Sequence, residues 1–399
     1  MPTTMRTCPV MHYDHRAVQP AERFEVWREL RGKGPIVWSE CYDGFWVVSG
    51  HAEVAAVMRN DATFSSAKTE DGKGGQSIPP FPWVRNVPGE YDGEEHDRLR
   101  AVLIPPLSPK LIEERRPIVG GIVSDIFDQL QGRETVDATR EIAVLVPAHS
   151  MFTFMGMPRE DADTLGLMVH SVNGARGDVD VQATLRAIEQ RMLDEAAARR
   201  AKPTDDIISL FANYRHESRH LSDEELLSVM VTGLLFGGLV TAAETLANGM
   251  IYLDRHRDAR AELIAHPERM LNFVQDLVRY VSPAVVVART VTRETVLGGQ
   301  TLQPGDRILC NLGAANHDQT VFADPERIDT SAWRNNHLGF GVGPHFCPGA
   351  PLARLEIEMT LLELLRRMPN YAIADLDHLT RGLADPAGGW RPLVLRPHG

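Results

Sequence analysis

In 399 residues the sequence carries only four cysteines, Cys8, Cys41, Cys310 and Cys347, and no C-x-x-C spacing joins any two of them. That scatter argues against a zinc site or a disulfide framework. Long apolar runs are scarce too. The best, Val229 to Val240, is too short and too broken by glycine to cross a bilayer, and the first residues lack a charged-then-apolar leader pattern. The expectation is an unanchored, cytoplasmic protein. Basic charge is also outnumbered, with 42 Lys and Arg against 54 Asp and Glu and a formal net charge of -12. Phosphate binding needs a concentrated cationic face, so nucleic acid is excluded as the main partner. No stretch has the composition of a linker, so residues 1–399 are expected to form one large domain with lobes.

What the chain does contain is one cysteine framed by glycine and proline, in the order F-G-V-G-P-H-F-C-P-G from Phe340 to Gly349, just ahead of a helical pattern over Pro351 to Met368. A thiolate is a metal ligand only when deprotonated, and a helix N-terminus favours that charge. Gly341, Gly343 and Gly349 would let the backbone approach a flat cofactor and aim amides at the sulfur. For the cysteine alone, a tight turn around a buried thiol is the plainer reading.

A second informative stretch begins at Ser222-Asp223-Glu224-Glu225, an S-x-x-E capping box followed by proline-free apolar sequence to about Leu253. Some thirty residues at about 1.5 Å each predict a helix of roughly 45 Å. In its middle Gly237 and Gly238 each cost about 1 kcal/mol against alanine, so either something approaches the backbone there or the helix opens. Thr241 can bond back to the carbonyl of Gly237 and widen the turn.

Elsewhere the pattern is regular. Phe45 to Val48 reads as a strand, and Ala52 to Met58 and Ala21 to Arg31 as helices. Gly298-Gly299 reads as a hairpin turn, and residues 118 to 200 as mostly helical with breaks near Gly132, Pro158 and Gly174. Between Asp71 and Gly93 runs a long loop rich in Gly, Pro and aromatics, the composition of a functional lid or of an exposed surface segment. His96 and Arg100 are four apart on one helix face and could point at one anion. Asp276 and Arg279, three apart, read by themselves as a surface pair.

Taken in order, these signals resemble the cytochrome P450 family, the haem-thiolate monooxygenases, and most specifically its F-G-x-G-x-H-x-C-x-G loop. The resemblance implies a mainly α fold with a small β lobe and haem b as cofactor. It makes Cys347 the iron ligand, and His345, Arg289 and the pair His96 and Arg100 the propionate contacts. It assigns the oxygen pocket to Gly237, Gly238 and Thr241, with Val240 standing where the family has an acid that helps deliver protons. Glu244 is a substitute within reach. It makes Asp276 and Arg279 a buried bracing pair, with Asp276 one methylene shorter than the family's glutamate and Arg327 as third member. Ile78, Phe81, Trp83, Val286, Val287 and Trp390 become candidate substrate contacts.

The implied partners are dioxygen, a hydrophobic small molecule, and a ferredoxin with its reductase carrying electrons from NAD(P)H. The arginines Arg98, Arg100, Arg115, Arg116, Arg354, Arg366 and Arg367 would offer an acidic ferredoxin a docking face, unless they are solvated helix faces. Hydroxylation or epoxidation is the expected reaction. Val240 leaves room for oxidative C–C or C–N coupling of an aromatic natural product, and a non-catalytic haem protein that binds or senses a gas is the reading from another class.

Overall fold

The computed structural model describes residues 8–80, 85–173, 180–216, 219–374 and 393–398. The chain forms two compact units, one of Met1–Arg98, Val278–Ile328 and Asn335–Cys347, the other of Leu99–Leu277, Asp329–Arg334 and Pro348–Gly399. The fold is mainly α with a small β region, as the sequence predicts.

The first unit is built on a six-stranded sheet ordered Val10–Met11, Ile36–Ser39, Phe45–Val48, Arg307–Asn311, Val286–Val291, Phe64–Ser65. Phe45–Val48 pairs antiparallel with Ile36–Ser39 and parallel with Arg307–Asn311. Its four residues are all buried because both faces of the sheet are covered. Trp46 and Val48 enter a cluster with Ile308, Cys310 and the helix His51–Arg59, while Phe45 and Val47 enter another with Tyr13, Leu30 and Leu309. That two-sided burial is why the run reads as unbroken apolar sequence rather than alternation. The hairpin of Thr295–Leu297 with Gln300–Leu302 turns at Gly298 and Gly299, both at positive φ, as a primed turn requires.

The second unit is helical. Its long helix covers Asp223–Arg255, 33 residues, and starts at the predicted capping box: Ser222 N donates to Glu225 Oε2 at 2.7 Å and Glu225 N to Ser222 Oγ at 3.2 Å. The sequence does not foretell that Ser228–Val240 winds as a π-helix before α geometry resumes at Thr241. The helix Ala350–Arg367 buries Leu352 and Leu355, while Met359 and Leu362 line an open groove with Val123 and Leu263.

Glu356 on that last helix is 2% exposed, and its Oε1 has no hydrogen-bond partner among the described residues. Burial pushes its carboxyl well above the usual range, and Ser150 beside it only partly opposes this. The folded state therefore binds a proton that the unfolded state releases near 4.5, so this group's stabilisation is complete below that pH and is lost as pH rises toward the folded value. Glu356→Gln is expected to flatten the stability–pH curve above pH 4.5 and to exceed the wild type most at the alkaline end, measured by urea unfolding across pH.

Candidate functional site

The cysteine loop is shaped by what it packs against. Gly341 and Gly343 have φ of 73° and 82°, the left-handed region that favours glycine. A Cβ on Gly343 would stand 2.6 Å from the carbonyl oxygen of Met58 and 2.8 Å from Arg59 Cα. Glycine is thus required here by the end of the helix His51–Arg59. The loop closes on itself, since Cys347 N donates to Phe340 O at 2.8 Å and Phe346 N to Gly343 O at 3.1 Å. The amide of Cys347 is therefore committed to Phe340. Gly349, at φ -80°, is an ordinary N-cap two residues beyond the cysteine. Cys347 forms no disulfide and is partly buried.

Around this loop the first unit gathers three of the predicted contacts. His345 and His96 bring their rings to 4.2 Å between centroids, with His96 1% exposed. His345 Nε2 lies 3.1 Å from Ser66 Oγ and 3.6 Å from Asp92 Oδ1. Arg289, 2% exposed on the strand Val286–Val291, makes one hydrogen bond among the described residues, from Nη1 to Ala288 O at 2.8 Å. A guanidinium offers five donors, so most of this buried fork is unspent. Burial pulls its pKa down, and the charges of Asp92 and Asp61 partly hold it up. A buried cation with unspent donors, linked through Asp92 to His345 and carried by the same unit as Cys347, is the donor set that an anionic, iron-bearing cofactor needs, and haem fits it. Arg100 follows His96 by one turn on the helix Gly93–Leu103 and is partly buried.

In the second unit Thr241 Oγ1 donates to Gly237 O at 2.9 Å, the bond its spacing predicts. Thr245 Oγ1 repeats the pattern onto Thr241 O at 2.7 Å. The paired glycines differ in cause: a Cβ on Gly238 would meet Met151 Cε at 2.3 Å, whereas one on Gly237 would only touch Thr232 O at an ordinary 3.5 Å. Val240 is half-buried at the π-to-α junction, and Glu244 is buried one turn later.

The bracing residues are both fully buried. Arg279 donates to the carbonyls of Asn316, Pro325 and Arg327 at 3.1, 2.7 and 2.9 Å, so it is the backbone of the 324–327 turn that it holds. Asp276 accepts from Asp329 N at 2.8 Å and from Arg334 Nη1 at 3.4 Å. Sequence reading does not single out Arg334, nor Asp92 and Ser66. Of these only Asp92 leaves a signal, as a carboxylate just ahead of the His96 helix.

Among the substrate contacts, Ile78 is 4% exposed inside the Phe45 cluster, so its side chain is spent on core packing. Val286 and Val287 are partly buried at the margins of the two clusters. Phe81, Trp83 and Trp390 lie outside the described residues. The loop before them is pinned: Arg307 Nη2 donates to Gly75 O and Ser77 O, both at 2.8 Å, and Glu90 accepts from Gln76 N at 2.9 Å and Asn86 N at 3.0 Å. The arginine groups are largely paired locally, Arg98 with Glu94, Arg116 with Glu113 and Glu358, and Arg366 and Arg367 with Glu363. This favours solvated helix faces for them.

Asp276→Ala leaves the part-buried amide of Asp329 without its acceptor and is expected to cost about 2 kcal/mol, read as a lower urea midpoint. An unchanged midpoint removes the bracing role.

The family model described as Cytochrome P450 matches residues 180–369. Mycinamicin IV hydroxylase/epoxidase of Micromonospora griseorubida is 31% identical over 82% of this chain and 83% of its own length. The polyketide biosynthesis cytochrome P450 PksS of Bacillus subtilis is 31% identical over 71% of this chain and 70% of its own. A solved structure of a mutant of P450 EryK in complex with erythromycin B superposes with a TM-score of 0.82 at 28% identity, covering 95% of this chain and 97% of that one. With the thiol loop, the buried arginine and the threonine-bearing helix in place, these likenesses settle the family: the chain belongs to the cytochrome P450 enzymes, the haem-iron monooxygenases.

Proposed function

We propose that the chain is a haem b monooxygenase that hydroxylates or epoxidises a hydrophobic small molecule in secondary metabolism or catabolism. Dioxygen is the oxidant, and electrons come from NAD(P)H by way of a ferredoxin reductase and a ferredoxin. The observation that carries this reading is that the unit holding the Cys347 loop also holds a buried Arg289 and a His345 side chain 6% exposed, both with unspent polar atoms. Cys347 holds the iron, and Arg289, His345, His96 and Arg100 hold the propionates. Haem b, when bound, supplies dioxygen activation and the transfer of one oxygen atom to a C–H or C=C bond.

The chain's own residues set the conditions for that chemistry. Thr241 rests its hydroxyl proton on the Gly237 carbonyl, so its oxygen keeps lone pairs able to accept a hydrogen bond. To give that proton onward it must break this bond. Val240 offers no carboxyl, and Glu244 is the nearest acid along the helix. Val286 and Val287 are the pocket walls best supported by their partial burial, with Phe81, Trp83 and Trp390 as further contacts.

Relatives named for mycinamicin IV hydroxylation and epoxidation and for polyketide biosynthesis support an apolar natural product as substrate. A cytoplasmic enzyme working as one catalytic domain over residues 1–399 completes the reading. Among the described residues the one helix long and apolar enough to span a membrane, Asp223–Arg255, is buried over 56% of its most apolar window, as a core helix is. Oxidative coupling without oxygen insertion is the second reading, and Val240 is the observation that favours it.

Turnover under isotope-labelled dioxygen separates the two: label in the product is expected, and unlabelled, coupled product refutes monooxygenation. Val240→Asp is expected to raise the yield of product per NAD(P)H consumed. Unchanged coupling means that proton delivery at this position does not limit the reaction.

A further inference from the structure

The ring of His345 is held by a relay that its own loop does not contain. Ser66 Oγ lies 3.1 Å from His345 Nε2 and 2.8 Å from Asp92 Oδ1. A hydroxyl has one proton to give. Spent on the carboxylate, it leaves the serine oxygen to accept from His345 Nε2–H, so donation runs from His345 to Ser66 to Asp92. Asp92 is itself fixed by the hydroxyl of Ser65 and by the amides of Ser66 at 3.1 Å and Ala67 at 3.3 Å. The other ring nitrogen of His345, Nδ1, makes no hydrogen bond among the described residues, although the side chain is only 6% exposed. Asp61 completes a group with Asp92 and His345 whose ligand atoms lie within 4.8 Å of one another. The positive charge there is Arg289, which interacts with both aspartates, so the group reads as its counter-charge.

We propose that Asp92, acting through Ser66, is a positioning residue that fixes the His345 ring so that Nδ1 is presented to an anionic group of the cofactor. Outer partners of this kind set the orientation of the residue that makes the contact, and their loss costs about tenfold or more in affinity. The role rests on the haem reading above. The competing role is purely structural: Asp92 caps the turn at residues 65–67, and its loss would loosen the unit whether or not His345 is present.

A double-mutant cycle on haem release separates the roles. Haem transfer from the loaded protein to excess apomyoglobin is followed by absorbance in the wild type, Asp92→Asn, His345→Ala and the double variant. Asp92→Asn is expected to release haem about tenfold faster, and the double variant no faster than His345→Ala alone. Rates that multiply in the double variant overturn the proposal, as does an Asp92→Asn rate equal to wild type. If Asp92→Asn does not accumulate as folded protein, Ser66→Ala takes its place in the same square, with the same two outcomes. A wild type that takes up no haem refutes the haem reading and this role with it, whereas a loaded wild type with multiplying rates refutes this role alone.

Discussion

The close approach of the Cys347 loop to the end of the helix His51–Arg59 is the constraint on which the site depends. Gly343 lies so near the carbonyl of Met58 that a methyl group would overlap it, and its positive φ disfavours any other residue. With that approach fixed, the bond from Cys347 N to Phe340 O closes the loop and sets the backbone from which His345 and Cys347 project. The strand Arg307–Asn311 extends the same support, since it pairs with Val286–Val291 and so places Arg289 in the same unit. Position here comes from main chain packed on main chain, which tolerates little adjustment.

Electrostatics then determine what the site asks for. A guanidinium 2% exposed is costly to bury, and one hydrogen bond to a carbonyl does not offset that cost. Two aspartates share the charge. For Asp92, burial pushes the carboxyl up, but nearby His345 and hydrogen bonds from Ser65 and Ser66 outweigh it and hold the group well below the usual carboxylate range. The first unit thus carries an internal counter-charge that keeps Arg289 ionised, and the guanidinium donors not spent on Ala288 remain for an anionic group of a cofactor to accept from. In the second unit the demand is of another kind: where the π-helix gives way to α winding, Thr241 Oγ1 takes up the carbonyl of Gly237.

Much of this was legible in the sequence because it is local. The capping box at Ser222, the bond from Thr241 to Gly237 and the turn at Gly298 each depend on residues within four positions. The order of the thiol loop, the glycine helix and the acid-and-arginine pair pointed to the family without any contact being known. What was not legible is non-local or register-dependent. Ser66 and His345 are 279 positions apart, so nothing in either neighbourhood announces the other. Arg279 was expected to meet the Arg327 region, and it does so through backbone carbonyls, while Arg334 supplies the guanidinium to Asp276. Ile78 looked like a pocket wall from its place in an aromatic loop, yet packing on the sheet claims it. The glycines of the cysteine loop were read as room for a cofactor, and the helix His51–Arg59 accounts for two of them. The π-helix had no signature, because a run so uniformly apolar carries no periodicity to distinguish one winding from another.

The central claim is that Cys347 binds haem iron as a thiolate. The direct measurement is the absorption spectrum of the reduced protein under carbon monoxide, taken on the haem-loaded wild type and on Cys347→Ser. The account predicts the strongly red-shifted band of a thiolate complex in the wild type and its loss in the variant. A wild type without that band, or a variant that keeps it, would contradict the account.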